Sequence, residues 1–271
     1  MSWTKRGQRK RRWQRMVLAL ATVPLLLFLV VPILSLFVGL SLSRLEADLV
    51  GPVVVQAVTL SMITTIGTTA IALVAGTPVA YVLSRRQFPG RTFLDTLLDL
   101  PMVLPPAVAG IALLIAFGRQ GIVGHYLNDI GIVVSFSTVA VIMAQTFVAS
   151  PFYVKAAVAG FTGVERELEQ AAALEMASPI QVFATVTIPL AAPALLGGMV
   201  MTWARALGEF GATIIFAGNF PGRTQTMPLA IYIGFEIDFE VAVTLAIILL
   251  VTSFAVLFVV KGILRRRIGE W

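Results

Sequence analysis

Long uncharged apolar runs, separated by short polar segments, set the pattern of this chain. Residues 16–40 and 53–83 carry no charge, and neither do residues 100–118, although Pro101, Pro105 and Pro106 interrupt the start of that run. Residues 133–154 make a fourth run, 190–217 a fifth broken only by Arg205 and Glu209, and 241–260 a sixth. About 20 apolar residues in a helix cross the hydrocarbon layer of a bilayer. A helix also satisfies its own backbone groups where no water can. The pattern therefore predicts an all-α membrane protein with six transmembrane helices. The first run is longer than the apolar stretch of a cleaved signal peptide, about 7–15 residues, and no small-residue cleavage site follows it, so it is expected to stay as an anchor.

Composition agrees with lipid as the solvent. Apolar residues make up 58% of the chain and charged residues 13%, with mean hydropathy +0.92. A water-soluble domain carries about 25% charge. The net charge of +6 comes from where the cations sit. Lys5, Arg6, Arg9, Lys10, Arg11, Arg12 and Arg15 precede the first span, and Arg85, Arg86 and Arg91 separate the second from the third. Lys155 and Arg166 separate the fourth from the fifth, and Lys261, Arg265, Arg266 and Arg267 follow the sixth. The alternate loops hold only Arg44, Arg119 and Arg223. The excess of Lys and Arg marks the cytoplasmic side, so both termini are expected there, in contact with anionic membrane lipid and with no role in binding nucleic acid. The expected organisation is a basic tail at 1–15, an anchor helix at 16–42, a transmembrane domain at 53–262 and a second tail at 263–271. Cysteine is absent and His125 is the single histidine. That excludes disulfides, thiolate sites and histidine zinc clusters, and no metal or bound cofactor is expected in this chain.

The outer loops, 41–52, 119–131 and 218–240, are too short to fold as a receptor. The longest cytoplasmic segment, 161–189, reads as a short helix-turn-helix. Val164, Leu168, Ala171 and Ala172 fall at helical spacing, with Glu165 and Glu169 on another face. Ser178-Pro179 then restarts a helix, and 180–188 is expected as a second short helix stopped by Pro189. Physical reasoning leaves two readings open: an amphipathic connector lying on the headgroups, or a docking element for a partner.

The segment from Glu169 to Pro189 resembles the EAA loop of binding-protein-dependent ABC importer permeases. Gln170-Ala171-Ala172 occupies the Glu-Ala-Ala slot, and Met176 occupies the glycine slot. Val186 and Ile188 take the aliphatic slots, and Pro189 is retained. Glu169, beside the slot, offers the carboxylate that Gln170 lacks. A second likeness, to the molybdate branch and its sulfate relatives, rests on three stretches. They are Leu100-Pro101-Met102-Val103-Leu104-Pro105-Pro106, Arg205-Ala206-Leu207-Gly208-Glu209-Phe210-Gly211-Ala212-Thr213, and the loop from Ala217 to Leu229. Phe210 and Ala212 stand where sulfate permeases carry Tyr and Ser.

The resemblance implies a type I ABC importer permease fold with a cytoplasmic coupling helix in a prokaryotic inner membrane. It implies a homodimer that passes molybdate or tungstate by alternating access. Two copies of an ATPase subunit would hold ATP-Mg, and an extracytoplasmic oxyanion-binding protein would deliver the cargo. This chain has no phosphate-loop motif of its own, so it is expected to be a transport subunit and not an enzyme. The alternatives are a sulfate or thiosulfate permease and a stand-alone secondary transporter; the latter would want more intramembrane ionisable groups.

Arg205 and Glu209 stand four residues apart, so they can pair. They serve either as a neutral structural pair or, with Arg205 facing the anion, as part of the path. Gly208 and Gly211 present a small-residue face, as do Gly197-Gly198 and Ala72 with Gly76. Pro105-Pro106 must break the local helix and is a candidate gate or path lining. Asp95 and Asp99 read as solvated interface residues. By family likeness Asn219, Arg223 and Thr224 are candidate contacts for the binding protein.

Overall fold

A computed structural model describes Leu20, residues 22–38 and residues 42–268, with side chains described in these ranges except at 42–44 and 263–268. All the regular elements in them are helices. Two compact units emerge, residues 1–48 and 49–271. The first contains α1, Thr22–Ser35, an apolar helix, and most of α2, Leu42–Leu49. The basic tail at 1–15 and the ends of the expected anchor lie outside the described residues.

In the second unit α3, Pro52–Arg85, starts with Pro52 just inside its first turn, where the missing N–H would be unpaired anyway. Its 34 residues rise about 51 Å, more than a bilayer core needs. Pro89 and Gly90, the latter at φ +88°, turn the chain into α4, Arg91–Val103. The central helix is α7, Thr138–Thr162, capped by Ser137, whose hydroxyl accepts from the Ala140 N–H. It packs along α3 on one side and along α10, Ile188–Leu207, on the other. The α7–α10 approach is close. A β-carbon on Gly198 would lie 2.6 Å from that of Ala156, whereas one on Gly197 would meet nothing within 4 Å.

Four helices are long and apolar enough to cross a membrane: α3, α7, the stretch Pro179–Leu207, and α13, Phe239–Ile268, over its described part. The third expected span is a bent pair. α4 and α5, Pro106–Phe117, meet at 114°, because Leu104 is held extended before Pro105 and Pro105-Pro106 donate no amide hydrogens. Among the described residues four helices are thus long and apolar enough to cross, or five if the bent pair is one span; the first of the six expected spans, residues 16–40, lies partly outside the described residues.

Two expectations need correction. The helix at 180–188 does not stop at Pro189. Helix α9, Pro179–Val182, runs through a π-helical turn, Phe183–Thr187, directly into α10, with Pro189 in the first turn of α10. The wider i→i+5 turn absorbs the residue that cannot donate. The fifth span also does not continue to 217. It ends at Leu207, and after Gly208 and Phe210 a short helix α11, Gly211–Phe216, begins. The expected outer loop 218–240 contains α12, Met227–Ile237, and 119–131 contains α6, Gly124–Asp129.

Candidate functional site

Helix α8, Arg166–Leu174, forms where the local rules agree. Glu167 and Glu169 sit in its first turn, favourable to the helix dipole, and Ala171, Ala172 and Ala173 are strong helix formers. Its end is a Schellman turn. The Met176 N–H donates to the Ala173 carbonyl at 3.2 Å, and the Ala177 N–H to the Ala172 carbonyl at 3.4 Å. This turn holds Met176 at φ +64°, so the glycine slot of the EAA pattern is a left-handed position, here occupied by a residue with a β-carbon. Ser178 and Gln181 then form a reciprocal capping box for α9. The turn projects apolar side chains outward: Leu174 is 85% exposed, Met176 92% and Ile180 80%. Gln170 and Ala171 are exposed beside them, and Ala172 is half-buried.

Glu169 points the other way. Its Oε1 accepts from Arg85 Nη2 at 2.8 Å and from the Thr187 hydroxyl at 2.6 Å. Arg85 also donates to the Val164 carbonyl at 3.2 Å, while Arg166 donates to the Arg85 carbonyl at 3.3 Å. Arg85 ends α3 and Thr187 ends the π turn, so one carboxylate joins three elements. Neither partner stands out in the sequence: Arg85 reads as one more topology charge and Thr187 as filler. The one signal there is that Arg85 directly ends an apolar run.

At the other breaks, α5 and α11 meet through their first turns. A β-carbon on Gly211 would lie 2.7 Å from that of Pro106, and one on Gly110 would lie 2.9 Å from the Ala212 carbonyl oxygen. Gly208 is looser, with the Ala204 carbonyl at 3.8 Å. Glu209 occupies this junction with 1% exposure. Its Oε2 pairs with Arg205 at 2.7 Å, and its Oε1 accepts from the Ala212 N–H at 2.9 Å. The expected pair exists, but it spans the end of α10 and caps α11. Arg205 keeps 29% of its side chain exposed, so it retains donors for another acceptor.

The loop after α11 is tightly built. The Phe220 carbonyl accepts from the N–H groups of Arg223, Thr224 and Gln225, and the Thr224 hydroxyl accepts from the Phe220 N–H at 2.9 Å. Thr224 is fully buried and serves the turn itself. Asn219 is half-buried and donates to the Leu229 carbonyl at 3.3 Å. Phe220, Pro221, Gly222 and Arg223 form the exposed tip. Asp95 and Asp99 are not simply solvated: Lys155 donates to them at 2.7 and 2.9 Å, tying α4 to α7.

Residues 72–270 match the family described as binding-protein-dependent transport system inner membrane component. The molybdenum transport system permease protein ModB of Mycobacterium tuberculosis is 40% identical over 228 residues, covering 84% of this chain and 86% of the relative. ModB of Escherichia coli K12 is 43% identical over 178 residues, 65% of this chain and 78% of the relative. In fold, the chain is similar to a bacterial alginate ABC transporter solved with its alginate pentasaccharide-bound periplasmic protein. The TM-score is 0.76 at 16% identity, with 97% of each chain covered.

Proposed function

Since the chain belongs to the binding-protein-dependent transport system inner membrane component family, we propose that it is the membrane-spanning subunit of an ATP-driven molybdate importer. Tungstate is the alternative cargo. The identity to permeases named for molybdenum transport over most of the chain carries the choice of anion. The exposed Leu174–Met176–Ile180 turn supports a soluble partner at that end. In this reading the partner is an ATPase subunit, one for each copy of a homodimer, with ATP-Mg bound there and not in this chain. The end bearing α8 faces the cytoplasm in a bacterial inner membrane bathed in lipid, with both termini on that side. An extracytoplasmic binding protein delivers the oxyanion to the opposite end, where the Phe220–Arg223 tip is exposed.

The mechanism follows from three features. Nucleotide-driven closure of the two ATPase subunits carries the α8–α9 segments inward. Because α9, the π turn and α10 are continuous, that motion tilts α10 as a rod. Its far end carries Arg205 and Glu209, beside the contact of α5 with α11, so the tilt shifts the helix breaks that border the path. Arg205 offers the passing oxyanion a cation, and Glu209 keeps its hold weak enough for release.

The test is uptake of radiolabelled molybdate into proteoliposomes holding this chain with its ATPase subunit and the binding protein. ATP-dependent uptake, blocked by tungstate and little affected by excess sulfate, is expected. Competition by sulfate at equal concentration would assign the sulfate branch instead. Uphill uptake by this chain alone would overturn the reading.

A further inference from the structure

We propose that Arg85, Glu169 and Thr187 form a clamp that makes the coupling helix move with α3 and α10, and that Glu169 is thus a positioning residue and not a docking one. The inference rests on the importer reading above. It begins from how little else holds α8. None of its residues is buried, so no apolar face fixes it to the body, and only Glu169 and Ala172 are even half-covered. The neighbouring anchors, Val164 at 5% exposure and Val182 at 9%, lie outside the helix on either side. Between them the side chains that fasten α8 are Arg166, bonded to the Arg85 carbonyl, and Glu169.

The Glu169 clamp is well placed for load. Thr187 is fully buried, and the Arg85 and Glu169 side chains are 11% and 16% exposed, so solvent screens the contact little. Charge-assisted bonds of this kind are about twice as strong as neutral ones. Arg85 sits at the carboxyl end of α3 and Glu169 in the first turn of α8, so each charge also faces the favourable end of its own helix dipole. Thr187 immediately precedes α10. A displacement of α8 therefore reaches the foot of α10 through the Thr187 hydrogen bond as well as along the chain through α9, and the end of α3 through the ion pair and the Arg166 bond. Separating docking from transmission tests the clamp.

The experiment uses the full chain with its ATPase subunit and compares Thr187→Val, Thr187→Ser and Glu169→Gln. All three are expected to retain the ATPase subunit on co-purification and to hydrolyse ATP. Molybdate uptake per ATP should fall about tenfold in Thr187→Val, which loses a bond to a charged group, and fall also in Glu169→Gln, which keeps an acceptor but loses the charge that strengthens both bonds. Thr187→Ser, which keeps the hydroxyl, should restore it. Unchanged uptake per ATP in Thr187→Val overturns the clamp, and so does loss of the ATPase subunit in proportion to loss of uptake. Hydrogen exchange over 166–174 in the chain alone, in lipid nanodiscs, needs neither partner nor cargo. Faster exchange in Thr187→Val than in the parent supports the clamp, and equal exchange refutes it. A parent protein that shows this protection but no ATP-driven uptake would sink the importer reading and leave the clamp standing.

Discussion

At the scale of single residues, Met176 is the clearest local conflict. Its φ of +64° puts a β-carbon where a left-handed residue costs about 1–2 kcal/mol, and a side chain 92% exposed recovers none of that within this chain. Met176→Gly should thus stabilise the α8 end by about 1 kcal/mol, read as slower hydrogen exchange at the Ala177 amide; Met176→Val should speed it. Arg205 and Glu209 make a second residue-scale case. Arg205→Ala leaves the 1%-exposed Glu209 carboxylate with the Ala212 amide alone. Stranding a buried charge in this way costs about 3 kcal/mol. Thermal unfolding in detergent should show that loss, and Arg205→Ala/Glu209→Ala should regain part of it. If the double variant also regains uptake, the pair only neutralises itself; if uptake stays low, Arg205 serves the anion.

At the scale of elements, adjacent glycines in α10 should behave oppositely. An added methyl on Gly197 would meet open space, so Gly197→Ala should gain up to about 1 kcal/mol of helix propensity. Gly198 faces the Ala156 β-carbon at 2.6 Å, so Gly198→Ala should separate α7 from α10 and lose about 1–3 kcal/mol. Thermal melts of the two variants decide it. The sequence does not distinguish them, because both sit in one apolar run and only the crossing of α7 tells them apart. The same limit explains the other differences. The break at Pro105-Pro106 is legible from proline chemistry, but its 114° angle and the contact of α5 with α11 are not. Pro189 reads as a stop because the π turn that accommodates it lies against Glu169, 18 residues from Thr187, and no local rule reaches that far. The apolar runs themselves are legible because lipid permits so few alternatives.

At the scale of the whole molecule, α3 supplies a ruler. A β-carbon on Gly222 would lie 3.2 Å from the Gln56 side chain, so the exposed loop tip stands near the start of α3, while Arg85 at its end holds α8. From position 56 to position 85 a helix rises about 43 Å, more than the hydrocarbon thickness of about 30 Å. In the proposed importer the tip and the α8 segment then lie on opposite faces of the membrane. The cations sort with them: Arg85, Arg86, Arg91, Lys155 and Arg166 belong to the α8 half, the bias on which the proposed importer has its cytoplasmic face there. Because the chain has no cysteine, a single introduced thiol reports its own side without background. Arg223→Cys should react with a membrane-impermeant maleimide added to spheroplasts. Gln170→Cys, exposed beside the Leu174–Ile180 turn, should react only after permeabilisation. The reverse result would invert the importer, and labelling of both thiols from outside would mean that α3 does not cross.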